Sequence, residues 1–163
     1  MCLFSIITVC FNSEKTIEKT IKSVLKQGID DYEYIVIDGK STDNTLKVVE
    51  KYREKFGDKI KVISEKDNGI YDAMNKGISL SKGKLIGFIN SDDYYEDDAL
   101  KNVKEKLDKN DEYIYGNTKL IYCFDGKKVG KLDCPKEVIS KKSLKMGMGF
   151  IHQSSFVRRE VFS

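Results

Sequence analysis

Two hydrophobic periods alternate along this chain. Short, continuous, β-rich apolar runs predict buried strands over residues 3–10, 34–37, 60–63 and 85–89, with two more short strands at 113–115 and 120–122. Helical patterns lie between them. Ile17, Ile21, Val24 and Leu25 recur at helical spacing and stop near Gly28, with Ser13 placed to cap the helix. Leu46, Val49 and Tyr52 mark a second helix from about Asn44 to Phe56, broken by Gly57-Asp58. Residues 70–81 put Ile70, Ala73, Met74, Gly77 and Ile78 on one face, and a fourth helix runs from about Asp97 to Leu107. Residues 125–150 are polar, rich in Gly and Lys and without period, which predicts loops and short helices around a cleft.

Strands alternating with helices predict right-handed β-α-β units and a mostly parallel sheet, an α/β fold in a single domain. In such sheets ligands bind beyond the carboxyl ends of the strands. That rule selects Asn12 after the first strand, Asp38 after the second, Glu65 and Asp67 after the third, and Asp92 and Asp93 after the fourth. Polar or acidic residues at four strand ends on one sheet edge are the strongest signal in the pattern.

Composition narrows the picture. The 163 residues are 40% hydrophobic and 34% charged with one proline, as expected of a globular chain long enough to bury a core. A net charge of +3 from 29 basic and 26 acidic residues, both signs dispersed, gives no nucleic-acid footprint. The four cysteines form no C-x-x-C pair and there is one histidine, so no zinc site is expected; Cys10 reads as a buried small hydrophobe and the compartment as a reducing cytoplasm. The apolar start lacks the basic residues of a signal peptide, and no run approaches the roughly 20 apolar residues that span a bilayer. Any membrane contact is therefore expected to be peripheral or to lie outside this chain, and a homodimer is left open.

Two adjacent carboxylates after a buried strand are costly to hold together unless a cation shares them. Magnesium or manganese prefers oxygen ligands and completes its shell with phosphate oxygens and water, which suits a ligand carrying a diphosphate. Asp38 could accept an N–H of a base or a ribose hydroxyl, with a turn-forming role before Gly39 as the alternative. Thr8 and Asn12 could line the same pocket. Met74 reads as core, and Lys76 as either a source of positive charge or a solvated residue.

Four motifs then carry a resemblance: Ser5-Ile6-Ile7-Thr8-Val9 with Asn12; Ile37-Asp38-Gly39-Lys40-Ser41-Thr42-Asp43-Asn44-Thr45; Asp67-Asn68-Gly69-Ile70-Tyr71-Asp72-Ala73-Met74-Asn75-Lys76-Gly77; and Phe88-Ile89-Asn90-Ser91-Asp92-Asp93. In this order they resemble the family 2 glycosyltransferases of the GT-A fold, strongly over residues 3–98 and loosely over 99–163. The resemblance implies a Rossmann-like three-layer α/β/α sandwich, with a donor-binding half at 1–98 and the start of an acceptor-side half at 99–163. It implies inverting transfer of a sugar from a nucleoside diphosphate sugar, with uridine favoured, to an acceptor hydroxyl on a glycan or lipid-linked glycan. Thr8, Asn12, Asp38, Asp67, Asn90 and Asp92 would hold the donor, and Mg2+ or Mn2+ would sit on Asp92 first and Asp93 second. This chain departs from the family pattern in having Asn90 where the D-x-D element begins with Asp, and Met74 where many relatives have Arg. The family's catalytic base lies in a later motif, expected beyond Ser163 in a chain read as truncated; His152 and Glu160 are the weaker candidates within it. A donor-binding fragment without turnover is the alternative. A nicotinamide-dependent oxidoreductase is disfavoured because Phe11-Asn12-Ser13-Glu14, and no G-x-G-x-x-G, follows the first strand.

Overall fold

A computed structural model describes residues 2–109, 111–124, 127–133 and 152–162. Four βα steps open the chain: β1 (Phe4–Cys10), α1 (Ile17–Leu25), β2 (Tyr32–Asp38), α2 (Thr45–Phe56), β3 (Ile60–Ser64), α3 (Ile70–Leu80), β4 (Leu85–Phe88) and α4 (Ala99–Lys106). Then come β5 (Tyr113–Tyr115), the hairpin of β6 (Thr118–Phe124) and β7 (Lys127–Asp133), and β8 (Ser155–Arg158). The main sheet has the order β3-β2-β1-β4-β8-β5. β1 pairs in parallel with β2 and β4, and β2 with β3, while β8 runs antiparallel between β4 and β5. The sheet is thus mixed and mostly parallel.

Strand parity divides the core into two layers. Phe4, Ile6, Tyr34 and Val36 pack with Ile17, Ile21 and Val24 of α1, Val49, Tyr52 and Phe56 of α2, and Leu100 of α4. The intervening residues Ile7, Val9, Ile35 and Ile37 face Ala73, with Met74 and Ile78 of α3 packed against them. β1 and β2 are buried on both faces, which is why they read as largely apolar runs. α3 sits close to the sheet because residue 77 is glycine: a Cβ there would stand 2.5 Å from Ile7 Cγ2.

The predicted elements are all present, with local corrections. Ser13 does not cap α1; Thr16 holds that position without a side-chain bond, and the Ser13 carbonyl accepts the N–H groups of Thr16 and Ile17 at 3.1 and 3.0 Å. Ile70 is half exposed instead of joining the apolar face of α3, because it stands at the first turn, over the cleft described below. Residues 127–133, expected as loop, form β7, whose pairing with β6 supplies the backbone partners that a polar sequence does not advertise. The rest of the segment expected as loops and short helices, 134–150, lies outside the described residues. Among the described residues no helix is long and apolar enough to cross a membrane.

Gly77→Ala is expected to destabilise the fold. Overpacking costs about 1–3 kcal/mol, offset by up to about 1 kcal/mol of helix propensity. A urea titration should show a lower midpoint with an unchanged slope.

Candidate functional site

The strand order reverses its winding between β1 and β4: α1 and α2 return on one face, α3 on the other. Chain leaving these two adjacent strands must diverge, which opens a crevice at their carboxyl ends. A cleft of about 830 Å³ lies there. Phe11, Asn12, Ser13 and Lys15 line it after β1, Asp67, Gly69 and Ile70 before and at the start of α3, and Asn90, Ser91 and Asp92 after β4.

Of the donor-site residues expected from sequence, Asn12, Asp67, Asn90 and Asp92 meet in this cleft. Thr8 and Asp38 are not among its lining residues. Parity turns Thr8 toward the α1/α2 layer, where its buried hydroxyl accepts a hydrogen bond from Tyr34 Oη at 3.0 Å. Asp38 is fully buried. Its carboxylate accepts the Ser41 N–H at 3.0 Å, the Ser64 hydroxyl at 2.6 Å and the Ser41 hydroxyl, with the Cys10 thiol 3.8 Å away. These bonds tie Asp38 to the turn that follows β2.

Asn12 is clamped to that same turn. Its φ of 48° turns the chain sharply after β1, its N–H donates to Ser41 Oγ at 2.9 Å, and its Oδ1 accepts the Thr42 N–H at 2.9 Å. Asp67 Oδ1 accepts the Gly69 N–H at 3.0 Å. Lys76 is engaged elsewhere, paired with Glu65 at 3.0 Å and Asp72 at 3.4 Å, and does not line the cleft.

The acidic loop has its own ties. Ser91 Oγ lies 2.8 Å from Ser13 Oγ, joining the two loops across the crevice, and the Asp93 N–H closes a turn onto the Asn90 carbonyl at 3.1 Å. Asp92 is exposed; Asp93 is half-buried. Burial and then the neighbouring Asp92 charge raise the Asp93 carboxyl above the ordinary carboxylate range, opposed by hydrogen bonds from the Gln153 and Asn90 side chains and by the charge of His152. A cation between the two carboxylates would relieve that conflict. Among the described residues no group of three or more acidic, histidine or cysteine side chains is placed to hold a metal. A divalent ion on Asp92 and Asp93 would therefore take its remaining oxygens from a ligand and water, as Mg2+ and Mn2+ do with phosphates.

The two base candidates separate. His152 leads through a short turn into β8, which begins beside the carboxyl end of β4, and its charge is felt at Asp93. Glu160 follows Arg158, the partner of Leu85, and so lies at the opposite edge of the sheet. It is removed from the cleft.

Beyond Asp92 lies a second cavity of about 640 Å³, walled by residues 92–97, α4, Gly116–Lys119 and Gln153. Tyr95 Oη, Thr118 Oγ1 and Gln153 Oε1 are buried in its walls without hydrogen-bond partners, as is Asn90 Oδ1 at the first cleft. Sequence reasoning missed Phe11, 60% exposed in the cleft, and the Ser13–Ser91 bridge. An aromatic residue directly past the end of a buried strand was the available signal for Phe11; the bridge spans 78 residues and had none.

The model of the family described as glycosyl transferase family 2 matches residues 5–163. A PGL/p-HBAD biosynthesis glycosyltransferase of Mycobacterium tuberculosis is 28% identical over 163 residues, covering 98% of this chain and 60% of the relative. The poly(ribitol-phosphate) beta-N-acetylglucosaminyltransferase TarS of Staphylococcus aureus is 34% identical over 111 residues, covering 67% of this chain and 19% of TarS. The structure of TarS 1-349 in complex with UDP-GlcNAc matches with a TM-score of 0.60 at 34% identity, over 63% of this chain and 30% of that one. The mannosyltransferase PcManGT of Pyrobaculum calidifontis, solved with GDP-Man and Mn2+, shares the fold with a TM-score of 0.63 at 23% identity, over 69% of this chain and 34% of that one. The chain thus spans 60% or less of the length of these relatives.

Because folding raises the Asp93 carboxyl, the protonated form contributes stability that is complete below the ordinary carboxylate pKa and is lost as pH rises through the folded value. Asp93→Asn is therefore expected to melt at a higher temperature than the parent at pH 7, with the difference vanishing below about pH 3.9. Thermal melts across pH check this.

Proposed function

The chain belongs to glycosyl transferase family 2, and from that premise we propose that it moves a sugar from a nucleoside diphosphate sugar to an acceptor hydroxyl with inversion. The observation that carries the reading is the position of Asn90-Ser91-Asp92-Asp93: an acidic pair under electrostatic conflict, held at the crevice where this sheet topology binds ligands. A uridine donor is favoured because TarS, the relative whose solved structure shares both fold and 34% identity, is described with UDP-GlcNAc.

In this reading the donor lies in the cleft of Phe11, Asn12, Asp67 and Asn90, and its diphosphate meets Asp92 and Asp93. A bound Mg2+ or Mn2+ supplies positive charge that offsets the departing diphosphate. Asp92, exposed and lining both cavities, would be the first ligand, and Asp93, half-buried beside it, the second. The turn held by Asp38 and Asn12 shapes the far wall. The acceptor approaches from the cavity on the other side of Asp92, whose walls carry polar atoms lacking partners. Its oxygen attacks the anomeric carbon as the bond to the diphosphate breaks, and its proton passes to a base. Of the candidates within the chain only His152 stands at this edge.

Calorimetry with UDP, with and without Mn2+, tests the reading. Mn2+ should tighten UDP binding, and Asp92→Asn should cost at least about tenfold of that gain, near 1.4 kcal/mol, while Asp93→Asn costs less. Absence of UDP binding in either condition would refute it.

A further inference from the structure

α1 is buried on two stripes of different chemistry. Ile17, Ile21 and Val24 form the apolar one. The other is polar: Thr20, Ser23 and, just past the helix end, Gln27 are 0%, 7% and 0% exposed. Polar groups are buried this deeply only when partners repay their desolvation, and here all three reach into one segment. Thr20 Oγ1 donates to the Asp93 carbonyl at 2.6 Å and lies 3.4 Å from the Asn90 carbonyl. Ser23 Oγ accepts the Tyr95 N–H at 3.1 Å. Gln27 Nε2 donates to the Glu96 carbonyl at 3.0 Å and its Oε1 accepts the Leu100 N–H at 2.9 Å.

The spacing i, i+3, i+7 makes this a straight row on the helix, laid along the chain from the acidic motif to the first turn of α4. Residues 89–98 are neither helix nor strand, so their backbone lacks the internal ladder that would fix it. α1 provides that ladder from side chains. The Thr20 bonds fall on the carbonyls of Asn90 and Asp93, on either side of Asp92. Apolar groups in their place would leave the buried N–H groups of Tyr95 and Leu100 without these partners.

We propose that Thr20, Ser23 and Gln27 are positioning residues that hold the acidic loop in the geometry in which Asp92 and Asp93 together receive a metal-bound diphosphate. The proposal rests on the functional reading above and adds the device that preorganises its metal site. Two carboxylates placed side by side tend to separate, and a loop without its own ladder would yield. The α1 bonds hold the loop backbone in place, so that little ordering remains to be done when metal and donor arrive.

The test is calorimetry of UDP binding with and without Mn2+ on the full chain and on Thr20→Val, which keeps shape and removes the hydroxyl. Binding of UDP without metal should stay within twofold, while the Mn2+-dependent gain falls tenfold or more, and Thr20→Ser should restore it. Ser23→Ala, a milder change, should lose about threefold of the same gain and keeps the proposal falsifiable if Thr20→Val does not fold. An Mn2+ gain unchanged in these variants, with only the melting temperature lowered, would overturn the proposal. No Mn2+ gain in the parent chain itself would instead overturn the functional reading, and this proposal with it.

Discussion

Two carboxylates at consecutive positions after β4 set the terms for the structure around them. Burial of Asp93, and then the adjacent Asp92 charge, both raise the proton affinity of its carboxyl. The fold holds the pair in place all the same. The Asp93 N–H closes a turn onto the Asn90 carbonyl, the Thr20 hydroxyl donates to the Asp93 carbonyl, and Gln153, Asn90 and His152 act to lower the proton affinity of its carboxyl. These contributions come from different parts of the chain and converge on one edge of the sheet.

The sheet topology creates that edge. β1 and β4 are neighbours although three helices and two strands separate them in sequence, and the chain leaves them in different directions. The loops after both strands are then bridged across the crevice by Ser13 and Ser91. The turn after β2 is joined in through Asn12, Ser41 and Asp38. The cleft is therefore one hydrogen-bonded unit, not three independent loops, and α1 underlies its acidic part.

Much of this was legible in the residues. Largely apolar runs announced buried strands, and helical spacing of Ile17, Ile21 and Val24 announced α1, because burial imposes those periods. The acidic motif was found by its position at a strand end and by resemblance, and Asn12, Asp67, Asn90 and Asp92 do meet in one cleft. Thr8 stands outside the cleft lining because a strand's parity, which a run buried on both faces does not reveal, decides which layer each side chain enters. The turn-forming alternative for Asp38 is visible locally in Ser41, three residues on, while its third donor, Ser64, is reached only through the pairing of β2 with β3. Ser13 looked like a helix cap because its local sequence fits one; a contact with Ser91, 78 residues away, took its hydroxyl instead.

The chain's own residues determined the order and kind of elements from β1 to β6, the parallel β-α-β plan and the chemistry at the strand ends, since these follow from local periodicity and from which residue types tolerate burial. Only the tertiary structure decided that β8 returns antiparallel between β4 and β5, bringing His152 and Gln153 to Asp93 and carrying Glu160 to the far edge. It also decided that Thr20, Ser23 and Gln27, ordinary polar residues by sequence, spend their hydrogen bonds on the acidic loop. Both outcomes depend on pairings between distant segments, whose partners are chosen by the packing of the whole sheet and not by any local pattern.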